Sequence, residues 1–424
     1  MCDGMDMPRP ESETTARRPR VLLISAEKWE LGARFSAELR KRGFAVGVIA
    51  PRGRMVRKAL TGDAYYDFRR FWKVDWFGRI AELWSPDFII CVDDRARQSL
   101  LGYYTRALSS SECDSVQMIQ VIRKSLGAPE AFQLLEKSSL MTLATRMGVR
   151  CPPTAVISDI NALGEQLDRS VFPVVLKADG GFGGRAVRIV HNRQDAIMAF
   201  RELRWPVSWP QHLKKTLAGM ADRLPRFPQP QRAVVSLQSF VKGRPANRAV
   251  LCWEGKVLAG ISAEAIEVSN DTGPATVIKV IENPELNDAV ARLVEHLGIT
   301  GFCGFDFVLD ELQRPWLIEA NPRVTPICHI RWGADLIGAF HTKLTGRPPV
   351  GSPGQITQDR IALFPHEWLR DPCSRHLYSC YHDIPWDQPR LIQTCVELRS
   401  RNADAPDSAG IKPGIHADET TYAI

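Results

Sequence analysis

Apolar and polar positions follow two rhythms along this chain, and the change of rhythm marks the elements. RVLLISA (20–26), FAVGVIA (44–50) and PDFIICVDD (86–94) are short, nearly continuous apolar runs, the pattern of strands covered on both faces. Between the first two, ELGARFSAELRKRG (30–43) brings Leu31, Phe35 and Leu39 to one side of a helix and ends on Gly43, a residue suited to the turn that closes a helix. Strands alternating with helices predict an open, mostly parallel α/β sheet over 20–112. Such sheets bind ligands beyond the carboxyl ends of their strands, where Asp93 and Asp94 follow FIICV. These two acids read equally well as ligand contacts or as caps of the next helix.

Residues 112–150 have helical spacing, and MGVRCPPTAVI (147–157) leaves them through two prolines into a strand. FPVVLKADGGFGGRAVRIV (172–190) reads as strand, glycine loop, strand. The following helix has Asn192 as N-cap and Asp195 in the capping-box position. A segment rich in Pro, Trp and basic residues, 204–232, breaks both rhythms and reads as an insertion. AVVSLQSFV (233–241), RAVLCWEGKVLAGISAEAI (248–266) and ATVIKVI (275–281) predict antiparallel strands. PELNDAVARLVEHLGI (284–299) predicts an amphipathic helix, and GFDFVLDELQRPWLIEANPR (304–323) a β-hairpin. The polar ends, 1–19 and 401–424, read as disordered tails, and 346–400 as a C-terminal extension.

Composition narrows the class without naming it. The 424 residues leave room for two or three domains, and 44% hydrophobic with 24% charged residues is ordinary for a globular protein. A net charge of +7 permits anionic partners such as nucleotides. The segment 201–232 carries seven Lys/Arg with Trp205 and Trp209, which could stack on bases. Its prolines and ordinary surface composition explain it more simply, so nucleic acid is not the expected partner. Ten cysteines are scattered without a CxxC pair or zinc spacing. Neither a signal peptide nor an apolar run of membrane-spanning length is visible, and a reducing cytoplasm is the expected compartment.

Two stretches carry chemistry. In LIEANPR, period-2 geometry sets Glu319, Asn321 and Arg323 on one face of a strand. If Asp310 and Pro315 are the last pair around a four-residue loop ELQR, Asp306 faces Glu319, with Phe305, Phe307, Trp316 and Ile318 on the other face. Opposed carboxylates about 4.5–5.5 Å apart at Cβ repel each other. Either a hard cation such as Mg²⁺ compensates them, with the Asn321 oxygen as a further ligand, or a different register keeps two solvent-facing acids apart. The second stretch, KADGGFGGR (177–185), joins two strands and so is neither a P-loop nor a dinucleotide fingerprint. It reads as a phosphate-covering loop with Lys177 as its fixed charge, or as a flexible hairpin with a surface lysine. Cys303 reads as packing and not as a nucleophile.

Glycine loop and acidic hairpin, in this order, resemble the ATP-grasp superfamily over about 137–345, with 20–110 similar to the α/β domain that usually precedes it. The resemblance implies an N-terminal open parallel sheet domain (20–112) followed by an α+β ATP-grasp domain (113–345) whose two subdomains clasp the nucleotide. The mobile lid would span about 172–241 and carry the insertion. It implies that Lys137 and Lys177 meet ATP phosphates, that Gly180, Gly181, Gly183 and Gly184 cover them, and that Gln238, Ser239 and Val241 form the adenine hinge. Asp306, Glu319 and Asn321 would hold Mg²⁺, with Mn²⁺ as a substitute, and Arg323 with Lys177 would act on the reacting group. Two features depart from the pattern: Gln238 stands where the hinge usually opens with an acid, and Asn247 or Arg248 occupies the region of the ribose-binding acid. Beyond the hairpin, Arg331 suits a substrate carboxylate, or else begins the next helix at the surface.

The implied activity is an ATP-dependent carboxylate–amine ligase, which activates a carboxylate as an acyl phosphate for attack by an amine. Its partners would be a small-molecule carboxylate and amine, without a membrane, and a homodimer is compatible. The alternatives are an ATP-grasp carboxylase or phosphotransferase and, from another class, a non-catalytic nucleotide-binding module. No lysine sits in a recognisable biotinylation context, and the complete metal triad argues against a dead enzyme.

Overall fold

The structure is a computed structural model, and it describes residues 17–27, 29–68, 74–109, 115–179, 186–204, 233–270, 273–349 and 354–403. The glycines of the 180–184 loop, nearly all of the 204–232 insertion and most of the two tails lie outside these residues.

The first sheet is parallel, in the order β3-β2-β1-β4. It is built from β1 (Arg20–Ile24), β2 (Ala45–Ala50), β3 (Ala64–Asp67) and β4 (Phe88–Cys91). The apolar runs predict three of these strands; β3 lacks such a run because all four of its residues are only half-buried. The chain winds outward from β1 through β2 to β3, then returns to place β4 on the other side of β1. The crevice beyond β1 and β4 is therefore the point where the winding reverses, the usual ligand position of such sheets. Asp93 ties that crevice together. Its carboxylate caps the Asp94–Leu108 helix through Ala96 N–H (2.8 Å) and accepts from Ala26 N–H (2.7 Å) and Glu27 N–H (3.1 Å) in the loop after β1.

The second sheet is antiparallel, in the order β5-β8-β6-β7. Its strands are β5 (Thr154–Ile157), β6 (Val174–Ala178), β7 (Val187–Val190) and β8 (Val235–Ser239). It has its own core with the Ile160–Asp168 and Arg193–Arg204 helices. The predicted N-cap at Asn192 is present: its Oδ1 accepts from Asp195 N–H at 2.9 Å, and Asp195 replies through its side chain, accepting from Asn192 Nδ2 at 2.8 Å where a capping box would engage the backbone N–H.

Seven strands form the third sheet, in the order β13-β12-β9-β10-β11-β14-β15. These are β9 (Arg244–Trp253), β10 (Lys256–Val268), β11 (Ala275–Val280), β12 (Gly301–Leu309), β13 (Pro315–Asn321), β14 (Arg360–Ala362) and β15 (Tyr381–His382). The last two come from the C-terminal extension, which thus completes the sheet beside β11. Two continuous cores run from the first sheet to the third. One joins Leu22 and Ile89 to Phe305, Phe307 and the Pro284–Leu297 helix; the other joins Phe35, Phe44 and Phe88 to Phe302 and Phe340. Phe88 and Phe340 meet edge to face at 4.8 Å. This shared packing holds the crevice of the first sheet against the hairpin of the third.

Candidate active site

The hairpin sets Asp306 opposite Glu319, by a route different from the expected one. The pair nearest the turn is Leu309 with Pro315, so the loop has five residues and begins at Asp310. Asp310 cannot continue the strand because its carboxylate closes the turn: it accepts from Leu312 N–H, Arg314 N–H, Arg314 Nε and Trp316 Nε1. The register is then one residue out until a bulge at Ile318 restores it, giving Asp306↔Glu319, Phe305↔Ala320 and Gly304↔Asn321. Such a bulge re-aims side chains. Leu317 and Ala320, three apart, both join the core with Phe305 and Phe307, correcting the expectation that Trp316 and Ile318 would flank them.

Asp306 is gripped by amides on both sides. Asn247 Nδ2, from the neighbouring strand β9, donates to Oδ1 at 2.6 Å, and Asn321 Nδ2 donates to Oδ2 at 2.7 Å. Burial and the facing Glu319 push the Asp306 carboxyl up to about 6, against these hydrogen bonds and Arg323. Lys137, first residue of the Lys137–Arg146 helix, brings its Nζ to 3.6 Å from Glu319 Oε1. Lys177 in β6 is 4% exposed. Burial pushes its ammonium down to about 7, aided by Lys137 and opposed by Glu319 and Asp306.

Arg323 reaches in the other direction. Its Nε donates to Asp94 Oδ2 at 2.7 Å, its Nη2 to Asn321 Oδ1 at 3.0 Å and its Nη1 to the Val324 carbonyl at 3.2 Å. The guanidinium lies 5.6 Å from the centre of the Trp29 ring. The two readings of Asp93 and Asp94 thus divide: Asp93 is the cap, and Asp94 faces the site.

The structure therefore brings together Lys137, Lys177, Asp306, Glu319, Asn321 and Arg323. Of the residues expected at the hinge, Gln238 is buried in β8, its Nε2 donating to Thr154 Oγ1 at 2.9 Å, and the Ser239 N–H is engaged by the Pro153 carbonyl at 2.9 Å. Val241 is half-buried just beyond. Gly180, Gly181, Gly183 and Gly184 lie outside the described residues. Arg331 precedes the next helix, whose first residue is Leu336, and its buried Nη1 has no hydrogen-bond partner among the described residues.

A divalent cation fits the donor set. Among the described residues no cluster of three or more His, Cys, Asp and Glu exists, but two opposed carboxylates and two amides do. The buried Asn247 Oδ1, beside Asp306, has no partner among the described residues. An orphaned oxygen next to a repelling carboxylate pair is what a hard, oxygen-seeking cation would satisfy.

A family model of the ATP-grasp domain matches residues 216–326, which hold β9, β12 and β13 and hence the whole acidic hairpin. Residues 216–326 thus match an ATP-grasp domain. Among curated proteins, the chain is 26% identical over 230 residues to the carbamoyl phosphate synthase large chain of Thermoplasma acidophilum, covering 53% of the present chain and 18% of that protein. It thus spans less than a fifth of the curated relatives it matches. Among solved structures, its fold is similar to the biotin carboxylase domain of Hydrogenobacter thermophilus 2-oxoglutarate carboxylase, bound to MgADP, ADP and bicarbonate. There the TM-score is 0.57 at 15% identity, over 78% of this chain and 71% of that one. An L-amino acid ligase from Bacillus licheniformis gives a TM-score of 0.52 at 14% identity, covering 78% and 75%. No helix among the described residues is long and apolar enough to cross a membrane.

Two pairings in the site escape a reading of the sequence alone. Asn247, expected near the ribose position, is paired with Asp306 by the β9–β12 register. The Asp94–Arg323 pair joins residues 229 apart, for which a single sequence holds no signal.

Proposed function

We propose that this ATP-grasp chain is an ATP-dependent carboxylate–amine ligase. The observation that carries the reading is the Asp306–Glu319 pair, set face to face within reach of Lys137 and beside buried Lys177 and Arg323. Phosphoryl transfer asks the protein for positioning and charge neutralisation more than for covalent help, and this site offers little else.

In this reading Asp306, Glu319 and Asn321, with Asn247 behind them, hold Mg²⁺ or Mn²⁺. When bound, the cation supplies charge neutralisation to the nucleotide phosphates. Lys137 and Lys177 bind the phosphates from opposite subdomains, Gly180–Gly184 closes over them, and Gln238, Ser239 and Val241 line the base. A substrate carboxylate oxygen attacks the γ-phosphorus of ATP and ADP leaves. The amine then attacks the acyl carbon, phosphate leaves, and the amine gives up a proton. Arg323 stabilises the oxygen that becomes anionic during this second attack, and Arg331 receives a carboxylate of the substrate.

The test is ADP release from MgATP over a panel of amino acids and small carboxylates, with hydroxylamine as the trapping amine. A carboxylate-dependent hydroxamate supports the acyl phosphate. ADP release with bicarbonate alone would instead favour a carboxylase, and MgATP binding without turnover a non-catalytic module.

A further inference from the structure

A chain of alternating charges leaves the hairpin, passes through the first sheet's crevice and returns. Arg323 Nε holds Asp94 Oδ2 at 2.7 Å, Asp94 Oδ1 lies 3.6 Å from Arg97 Nε, and Arg97 Nη2 lies 3.9 Å from Glu136 Oε1. Glu136 directly precedes Lys137, whose Nζ is 3.6 Å from Glu319 Oε1. Glu319 faces Asp306, which accepts from Asn321, which accepts from Arg323. The circuit closes on itself.

The Arg323–Asp94–Arg97 stretch is strongly dried, whereas Glu136 is 37% exposed. The side chains of Arg323 and Arg97 are each 9% exposed and that of Asp94 is 13% exposed. Ion pairs so placed are screened little by salt, and breaking one strands its partner. Asp94 and Arg97 stand three residues apart on one helix face, so a single rigid element addresses both Arg323 and the residue before Lys137. The crevice at which an open α/β sheet would hold its own ligand is thus occupied by the guanidinium of another sheet, packed against Trp29 and paired with Asp94.

We propose that Asp94 and Arg97 are positioning residues of the active site: the first sheet aims Arg323 and sets the Lys137 helix against the hairpin. Asp94 fixes the Nε edge of the guanidinium, which orients Nη2 toward Asn321 and leaves the fork one arrangement. Arg97, 3.9 Å from Glu136, offers that carboxylate a cation other than Lys137, whose ammonium lies 3.6 Å from Glu319. This rests on the ligase reading only for the reaction used as readout.

Asp94→Asn keeps shape and a hydrogen-bond acceptor but removes the charge. It is expected to lower kcat for carboxylate-dependent ADP release at least tenfold, with KM for MgATP changed less than twofold. If Asp94 acts through Arg323, the same substitution in an Arg323→Ala background changes kcat less than twofold. Equal losses in both backgrounds, or an unchanged kcat in the first, overturn the proposal, because Asp94 would then act on something other than Arg323, or not at all. A second readout needs no substrate: the Trp29 emission, taken as the difference from Trp29→Phe, should shift in Asp94→Asn when the guanidinium leaves the ring. A shift in a protein that turns over no carboxylate keeps the clamp and removes the ligase reading; an unshifted emission removes the clamp.

Discussion

Asp306 and Glu319 lie directly opposite each other across β12 and β13, and the bulge at Ile318 puts them there. Their repulsion is held in check on one side by the amides of Asn247 and Asn321 and on the other by Lys137. Glu319→Gln keeps the volume and removes one charge of the pair. The expected result is a collapse of turnover with the fold intact: a charge-assisted interaction is worth roughly 1.5–3 kcal/mol, or about ten- to 150-fold in rate for each one that Glu319 supplies. Steady-state ADP release and the thermal midpoint check this together. Full activity would remove Glu319 from the metal site.

Lys177 is buried among charged partners with its ammonium weakened toward neutrality. Lys177→Met fills nearly the same space without a charge to desolvate. MgATP affinity measured by calorimetry should fall by about tenfold or more, on the same scale for one charge-assisted hydrogen bond. The thermal midpoint of the nucleotide-free protein should hold or rise. Unchanged KM and kcat for ATP would leave Lys177 with no part in binding.

Arg331 and Arg323 should fail differently. The buried Arg331 Nη1 without a partner among the described residues suits a group that arrives with the substrate, so Arg331→Ala should raise KM for the carboxylate more than for ATP, as weakened ground-state binding does. Arg323 serves a charge that appears during the reaction, so Arg323→Ala should lower kcat. Equal effects of the two substitutions, confined to ATP, would refute this division.

A fourth expectation concerns pH and stability. His366 Nε2 and Glu30 Oε1 join the extension to the first sheet at 2.8 Å. Burial lowers the His366 pKa, but the Glu30 carboxylate outweighs it and the net shift is upward from 6.5. For Glu30, burial raises the pKa, but His366, a backbone hydrogen bond and Arg34 together outweigh it, so the net shift is downward from 4.5. A raised histidine adds stability that is present below its unfolded value and lost as pH rises through the folded one. A lowered carboxylate adds stability that is present above its unfolded value and lost in acid. The midpoint difference between the wild type and His366→Gln should therefore be largest between pH 4.5 and 6.5 and shrink above that window. A difference independent of pH would show that the pair is not linked to folding.

Much of the fold and site is legible in one dimension. The order of acid, amide and guanidinium in LIEANPR survives into space because a strand preserves alternation over a few residues. The apolar runs of β1, β2 and β4 are visible because both their faces are covered. What stays hidden is decided between elements. The bulge depends on how Asp310 closes its turn, so the expected Asp306–Glu319 pairing holds although the expected loop does not. Asn247 becomes a site residue through strand neighbourhood alone. β14 and β15, of three and two residues, are too short for any periodicity to announce.

Those two short strands make the chain indivisible. A protein ended at Thr345, where the last long helix before them stops, would keep every residue of the candidate site, yet β11 would become a bare sheet edge with Ile278 and Val280 uncovered, an invitation to pair with other molecules. Arg34, buried against Asp383, would lose its counter-charge in the same cut. The piece that holds the chemistry depends on the piece that covers its sheet edge and neutralises Arg34.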